Sequence, residues 1–157
     1  MRYEELQVDW SGSTFADAGD SGDGNEARPL MPVHPTILGV EDDEAMRVSL
    51  RNLMESEGFA VHAFANGQDL LNEASLPAIG CLVVDYHMPA MNGLELVSAL
   101  RGRGVSIPAI LFTGNPTKHV RDRAAAMAAL VLEKSGQTIY LLDCVREAVV
   151  KHAKSLS

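Results

Sequence analysis

Three acids in a row, Glu41, Asp42 and Asp43, close the apolar run TILGV; Asp85 ends GCLVVD, Thr113 ends PAILFT, and Lys134 stands just past ALVL. Carboxylates brought side by side repel one another and relieve the repulsion by binding protons or a hard cation. An all-oxygen set suits Mg²⁺, which keeps several waters and takes one or two carboxylates together with phosphate oxygens. A carboxylate left facing such a metal can attack a phosphoryl group and form an acyl phosphate. The charge that moves with the group must be neutralised in place, and Mg²⁺, an ammonium and a hydroxyl do this without reorganising. Glu41, Asp42, Asp85, Thr113 and Lys134 supply those parts, provided that a fold gathers them.

The intervening sequence predicts such a fold. TILGV (Thr36 to Val40) reads as a buried strand, and Met46, Leu50, Leu53 and Met54 then recur at helical spacing until Gly58. A short strand near Phe59–Ala63 precedes a helix around Gly67–Glu73. GCLVVD is an uninterrupted apolar strand, as expected for one covered on both faces. Leu94, Val97 and Leu100 mark a third helix, Pro108 to Thr113 a fourth strand, Lys118 to Met127 a fourth helix and Ala129–Leu132 a fifth strand. Ile139, Leu142, Val145 and Val149 line a last helix. Five strand–helix pairs in strict alternation predict an α/β doubly wound parallel sheet with helices on both faces. In such sheets the working groups collect beyond the carboxyl ends of the strands, where all five chemical candidates fall.

Composition narrows the partners. Of 157 residues, 46% are hydrophobic and 22% charged, ordinary for a globular chain, and no apolar run approaches the ~18 residues that cross a bilayer. The net charge of −8 argues against direct DNA or RNA binding, which demands clustered Lys and Arg. That charge is uneven: residues 1–35 carry Arg2 and Arg28 against seven acids, a net of −5. Residues 11–28 are Gly-, Ser- and Asp-rich with few large apolar groups, so 1–35 reads as a disordered acidic tail ahead of a domain over 36–157. Pro29, Pro32 and Pro35 stiffen its approach to the first strand. GDSGDG lacks the GKS/GKT ending of a phosphate-binding loop. Cys81, in an apolar run, reads as a small core residue, and His34, His62, His119 and His152 share no metal-ligand spacing.

VEDDEAMR, VVDYHMPAMNGLEL, PAILFTG and LEK, in this order, resemble the signatures of the receiver domain of bacterial two-component response regulators, with DYHMP, FTG and IPAI most like the NarL/FixJ-type receivers. The resemblance covers about Thr36 to His152. It implies a flavodoxin-like five-stranded sheet in the order 2-1-3-4-5 with five helices. It implies that Asp85 receives a phosphoryl group from a sensor histidine kinase or a histidine phosphotransfer protein. Asp42 would hold Mg²⁺ directly, Glu41 through water, and the backbone carbonyl of His87 would be a further ligand. Lys134 would pair with Asp85 and then with a phosphoryl oxygen, and Thr113 would turn inward to bond another. Asp43 falls one place beyond the acidic pair, as an acid favoured at a helix N-terminus. A cytoplasmic protein that catalyses only its own phosphorylation and dephosphorylation, and acts through a downstream protein partner, is the implied whole. With about 20 residues after Lys134, the expectation is a single-domain regulator without a helix-turn-helix.

Three positions depart from the family pattern. The successor of Lys134 is Ser135 rather than Pro, and a cis peptide there costs about 2.5–4 kcal/mol, so a trans peptide or a rearranged loop is expected. Val131 stands where an aromatic switch residue is usual, which leaves Thr113 and its loop as the expected route out of Asp85. AAAMAAL has no Gly to end the fourth helix, so that helix is expected to run longer or end less sharply. The alternatives are a pseudo-receiver that docks without phosphotransfer and a haloacid dehalogenase-type phosphatase. The latter needs a second Asp where His87 stands. A flavodoxin-like FMN site is disfavoured by the acids after the first strand, which would repel its phosphate.

Overall fold

The computed structural model describes residues 35–73, 75–77, 80–134 and 138–155. Residues 1–34, which hold almost all of the acidic tail, and Ser135 lie outside them, so the expectations for the tail and for the Lys134–Ser135 peptide fall outside the described residues. Five strands, β1 (Thr36–Val40), β2 (Ala60–Phe64), β3 (Gly80–Asp85), β4 (Ala109–Thr113) and β5 (Ala129–Glu133), form one parallel sheet in the order β2-β1-β3-β4-β5. Helices α1 (Glu44–Ser56), α2 (Gly67–Leu71), α3 (Gly93–Gly102), α4 (Lys118–Ala126) and α5 (Thr138–Ser155) connect the strands or follow them. The predicted fold class and strand order are the observed ones.

Two apolar cores explain which runs became which strands. On one face Leu82, Val84 and Leu111 pack with Leu94, Leu96, Val97 and Leu100 of α3 and Val120 and Ala124 of α4. On the other, Ile37, Cys81, Val83 and Ile110 pack with Met54 of α1 and Leu141, Val145 and Val149 of α5. β3 and β4 are buried along their whole length, which is why they read as continuous apolar runs rather than alternating ones. Each of these fully buried Leu or Ile side chains contributes roughly 1.5–3 kcal/mol. β2 and β5, at the edges, are only partly covered.

Helix starts are written into the sequence. Asp43, Asn66, Asn92 and Thr117 each accept a hydrogen bond from the backbone N–H three residues on, covering one of the orphan donors that every helix N-terminus exposes. Asp43 therefore acts as the α1 cap itself. At the opposite end of the sheet, Arg101 ties two loops together. Its guanidinium donates to the carbonyls of Val105 and Ile107 before β4 and of Met127 before β5, at 2.9–3.0 Å. Burial lowers its pKa, yet an arginine stays charged there.

The end of α4 corrects an expectation. Lacking Gly, the helix does not run on; it closes at Ala126, and Ala128 takes the left-handed conformation at φ 58°. The turn is forced because Ala129 must start β5 in register with Ala109. An L-residue there costs roughly 1–2 kcal/mol, which glycine would not incur. Ala128→Gly should therefore stabilise the protein by about 0.5–1 kcal/mol after the looser unfolded chain is counted. Urea denaturation with an unchanged m-value checks it, and a destabilised variant would show that packing, not strain, governs Ala128.

Candidate functional site

Register assembles the site. Val40 pairs with Val84 and Asp85 with Phe112, so the residue after β1 falls beside the last residue of β3. Glu41 continues the pairing as its N–H donates to the Phe64 carbonyl at 3.1 Å. Lys134 is set one step past β5, where its N–H donates to the Thr113 carbonyl at 2.8 Å. The carboxylates of Glu41 and Asp85 are thereby buried, 2% and 7% exposed, and Lys134 bridges them. Its Nζ lies 3.3 Å from Asp85 Oδ1 and 3.4 Å from Glu41 Oε1, and 5.9 Å from the centre of the Phe112 ring. One ammonium therefore serves two carboxylates.

The electrostatics follow from that ratio. Burial raises the pKa of Glu41, and the Asp85 charge adds to the rise; the Asp43 N–H on Oε2, at 3.1 Å, and the Lys134 ammonium offset it only in part. Burial would lower the pKa of Lys134, but the charges of Asp85 and Glu41 prevail and hold it above the usual lysine value. Glu41, Asp42 and Asp85 each bring a carboxylate oxygen within 4.8 Å of the others, with Asp42 exposed to solvent. Three carboxylates against one ammonium leave an excess of negative charge that a hard divalent cation would neutralise, and the all-oxygen donor set fits Mg²⁺.

The loop after Asp85 is tightly drawn. The Gly93 N–H donates to the Tyr86 carbonyl at 3.0 Å, and a Cβ on Gly93 would stand 2.6 Å from Leu111 Cδ1 and 2.8 Å from the Asp85 carbonyl. Asn92 and Glu95 form a reciprocal capping box that fixes where α3 leaves this loop. The His87 N–H donates to Asp85 Oδ1 at 3.3 Å, while its side chain is exposed and meets Tyr86 edge to face. Thr113 is fully buried, and its Oγ1 accepts the Asn115 N–H at 3.4 Å.

All the candidate residues thus lie at one end of the sheet. Glu41, Asp85 and Lys134 are in direct contact, Asp42 borders them, and Thr113 and His87 flank them. Two participants escaped sequence reasoning. Arg47 donates to the Glu41 carbonyl at 2.8 Å from the first turns of α1, and Phe112 supplies a ring near Lys134. Both stand inside the quoted signatures, VEDDEAMR and PAILFTG, but nothing in those runs assigns either one a contact with the site.

The family description "Response regulator receiver domain" matches residues 37–146. The chain belongs to this receiver family. It is 33% identical over 125 residues to the C4-dicarboxylate transport transcriptional regulatory protein DctR of Rhodobacter capsulatus, covering 78% of this chain and 64% of that one. It is also 33% identical over 125 residues to the transcriptional regulatory protein FixJ of Azorhizobium caulinodans, covering 79% and 57%. The receiver therefore spans under two thirds of these curated relatives. Among solved structures, the response regulator TrrA of Thermotoga maritima in complex with Mg²⁺ and BeF is 25% identical, with a TM-score of 0.63 over 73% of this chain and 98% of that one. Among the described residues no helix is long and apolar enough to cross a membrane.

The direction of the Glu41 shift makes a stability prediction. A carboxyl whose pKa is raised on folding binds its proton more tightly in the native state, so stability falls as pH rises from the ordinary value of 4.5 through the raised one. In protein without added metal, Glu41→Gln should be more stable than the parent at pH 7, and the gain should vanish below about pH 4.5. Urea denaturation across that range checks it; a less stable variant at pH 7 would mean that the pairing with Lys134 outweighs burial.

Proposed function

We propose that this receiver is a phosphoryl-accepting switch in which Asp85 carries the group, in a Mg²⁺-dependent phosphorelay fed by a sensor histidine kinase or a histidine phosphotransfer protein. The observation that carries the reading is the buried Asp85 carboxylate at a strand end, with Lys134 at 3.3 Å and two further carboxylates within 4.8 Å. An Asp85 oxygen attacks phosphorus, the phosphorus–nitrogen bond to the donor imidazole breaks, and the histidine leaves with that electron pair. The product on this chain is an acyl phosphate, and water attacking the same phosphorus returns the carboxylate and releases phosphate. Asp42, Glu41 and Asp85, with the His87 carbonyl, would hold Mg²⁺, which when bound would neutralise charge on the phosphoryl oxygens.

Lys134 gives the site its asymmetry. Before transfer its ammonium is shared between Asp85 and Glu41; after transfer the phosphoryl oxygens bring more negative charge within its reach. Thr113, whose hydroxyl accepts a weak bond from the Asn115 amide at 3.4 Å, can turn toward the new oxygens and draw the 114–117 loop with it. Val131 is a half-buried branched side chain that cannot swing as a ring would, so the signal leaves by Thr113 and α4 toward a protein partner. Receivers are signalling switches, and this one acts catalytically on its own phosphorylation state alone.

Incubation with Mg²⁺ and acetyl phosphate or phosphoramidate should add one phosphoryl mass to the intact protein. The adduct should be absent in Asp85→Asn and with chelator present; an adduct that persists in Asp85→Asn, or none with any donor, would overturn the proposal. Thr113→Ala should still take up the group yet lose the accompanying change in amide hydrogen exchange over residues 114–117. An unchanged exchange response in that variant would reject the Thr113 route.

A further inference from the structure

A groove of about 840 Å³ lies between the amino ends of β4 and β5 and the last turns of α5, at the end of the sheet away from Asp85. That size falls within the roughly 300–1,000 Å³ usual for small-molecule sites. Ile110, Met127 and Leu130 give it an apolar wall, and Leu130 is 47% exposed there. Cys144 and Ala148 line it from α5, one turn apart, with side chains too short to fill it.

The polar groups converge on the same groove. Its charged lining residues are Arg101, Lys151 and Glu147, with His152 among them. The Arg101 bonds to the Val105, Ile107 and Met127 carbonyls use Nε and Nη1, which leaves the two Nη2 donors for a ligand. His152 Nδ1 is buried without a hydrogen-bond partner among the described residues, a condition that costs stability until an oxygen meets it. Burial and the neighbouring Arg101 charge hold the His152 pKa below its ordinary 6.5, so at pH 7 the lining carries two positive charges and one negative. An apolar groove with a net charge of +1 complements an apolar body that carries a single negative charge, and Glu147 would repel a polyanion.

We propose that this groove binds a small apolar monocarboxylate, its carbon body against Ile110, Met127 and Leu130 and its carboxylate between Arg101, Lys151 and His152. The site lies at the opposite end of the sheet from Asp85, so it stands whether or not Asp85 accepts a phosphoryl group. Isotope-labelled full-length protein titrated with 4-phenylbutyrate should show saturable NMR shifts confined to Met127, Leu130 and the 144–152 stretch of α5. The uncharged 4-phenylbutyramide should bind at least tenfold more weakly, because it cannot form the charge-assisted hydrogen bonds. Lys151 is exposed, so Lys151→Glu should fold normally, weaken the acid by a similar factor and leave the amide unchanged. Equal affinity for acid and amide would overturn the proposal and leave only an apolar patch. So would shifts centred elsewhere, or no saturable shift up to the solubility limit of the acid. Groove resonances that move with protein concentration alone and do not respond to the acid would also overturn it, and would assign the groove to a second copy.

Discussion

Two carboxylates held side by side out of water, with one ammonium between them, are the constraint on which the rest of this receiver depends. Glu41 and Asp85 are buried at adjoining strand ends, and Lys134 lies 3.3–3.4 Å from both. A buried charge is costly unless it is paired, and Lys134 supplies a partner to both carboxylates. The sheet must therefore hold β1, β3 and β5 in a register that brings all three groups to the same level. The continuous apolar runs of β3 and β4 supply that rigidity. The raised pKa of Glu41 is the stability cost of a site built to attract positive charge.

Much of this was legible in the amino-acid sequence for definite reasons. Strands buried on both faces are uninterrupted apolar runs, so GCLVVD and AILFT announced themselves, and the residue ending each run had to be at the sheet's carboxyl edge. Edge strands gave weaker signals: β2 is one residue later than expected and β5 runs one residue longer, to Glu133. Of the helix starts, Asp43 was read as an acid favoured at a helix N-terminus; the caps Asn66, Asn92 and Thr117 emerged only with the structure. What could not be read was sharing. That Lys134 would meet Glu41 as well as Asp85 is a matter of three-dimensional register between residues 93 apart. The left-handed turn at Ala128 was equally hidden, because alanine carries no sequence mark of positive φ and only the register of β5 demands it.

The two ends of the sheet are built on opposite principles. At the carboxyl end, three carboxylates are crowded around one ammonium. At the amino end, apolar surface is left over around Leu130 and the connections are firmly tied. One end is poised to change its charge and the other to keep its shape.

The guanidinium of Arg101 makes that contrast mechanical. By gripping the carbonyls of Val105, Ile107 and Met127 it buckles the floor under β4 and β5, so α4 is pinned at its far end. At its near end, Thr117 caps the helix and the Asn115 N–H donates to Thr113 Oγ1 at 3.4 Å. Along its inner face Val120 and Ala124 are buried in the core, so α4 is held as one body. With its far end tied and its inner face packed, such a helix can shift only as a whole and cannot bend away piecemeal.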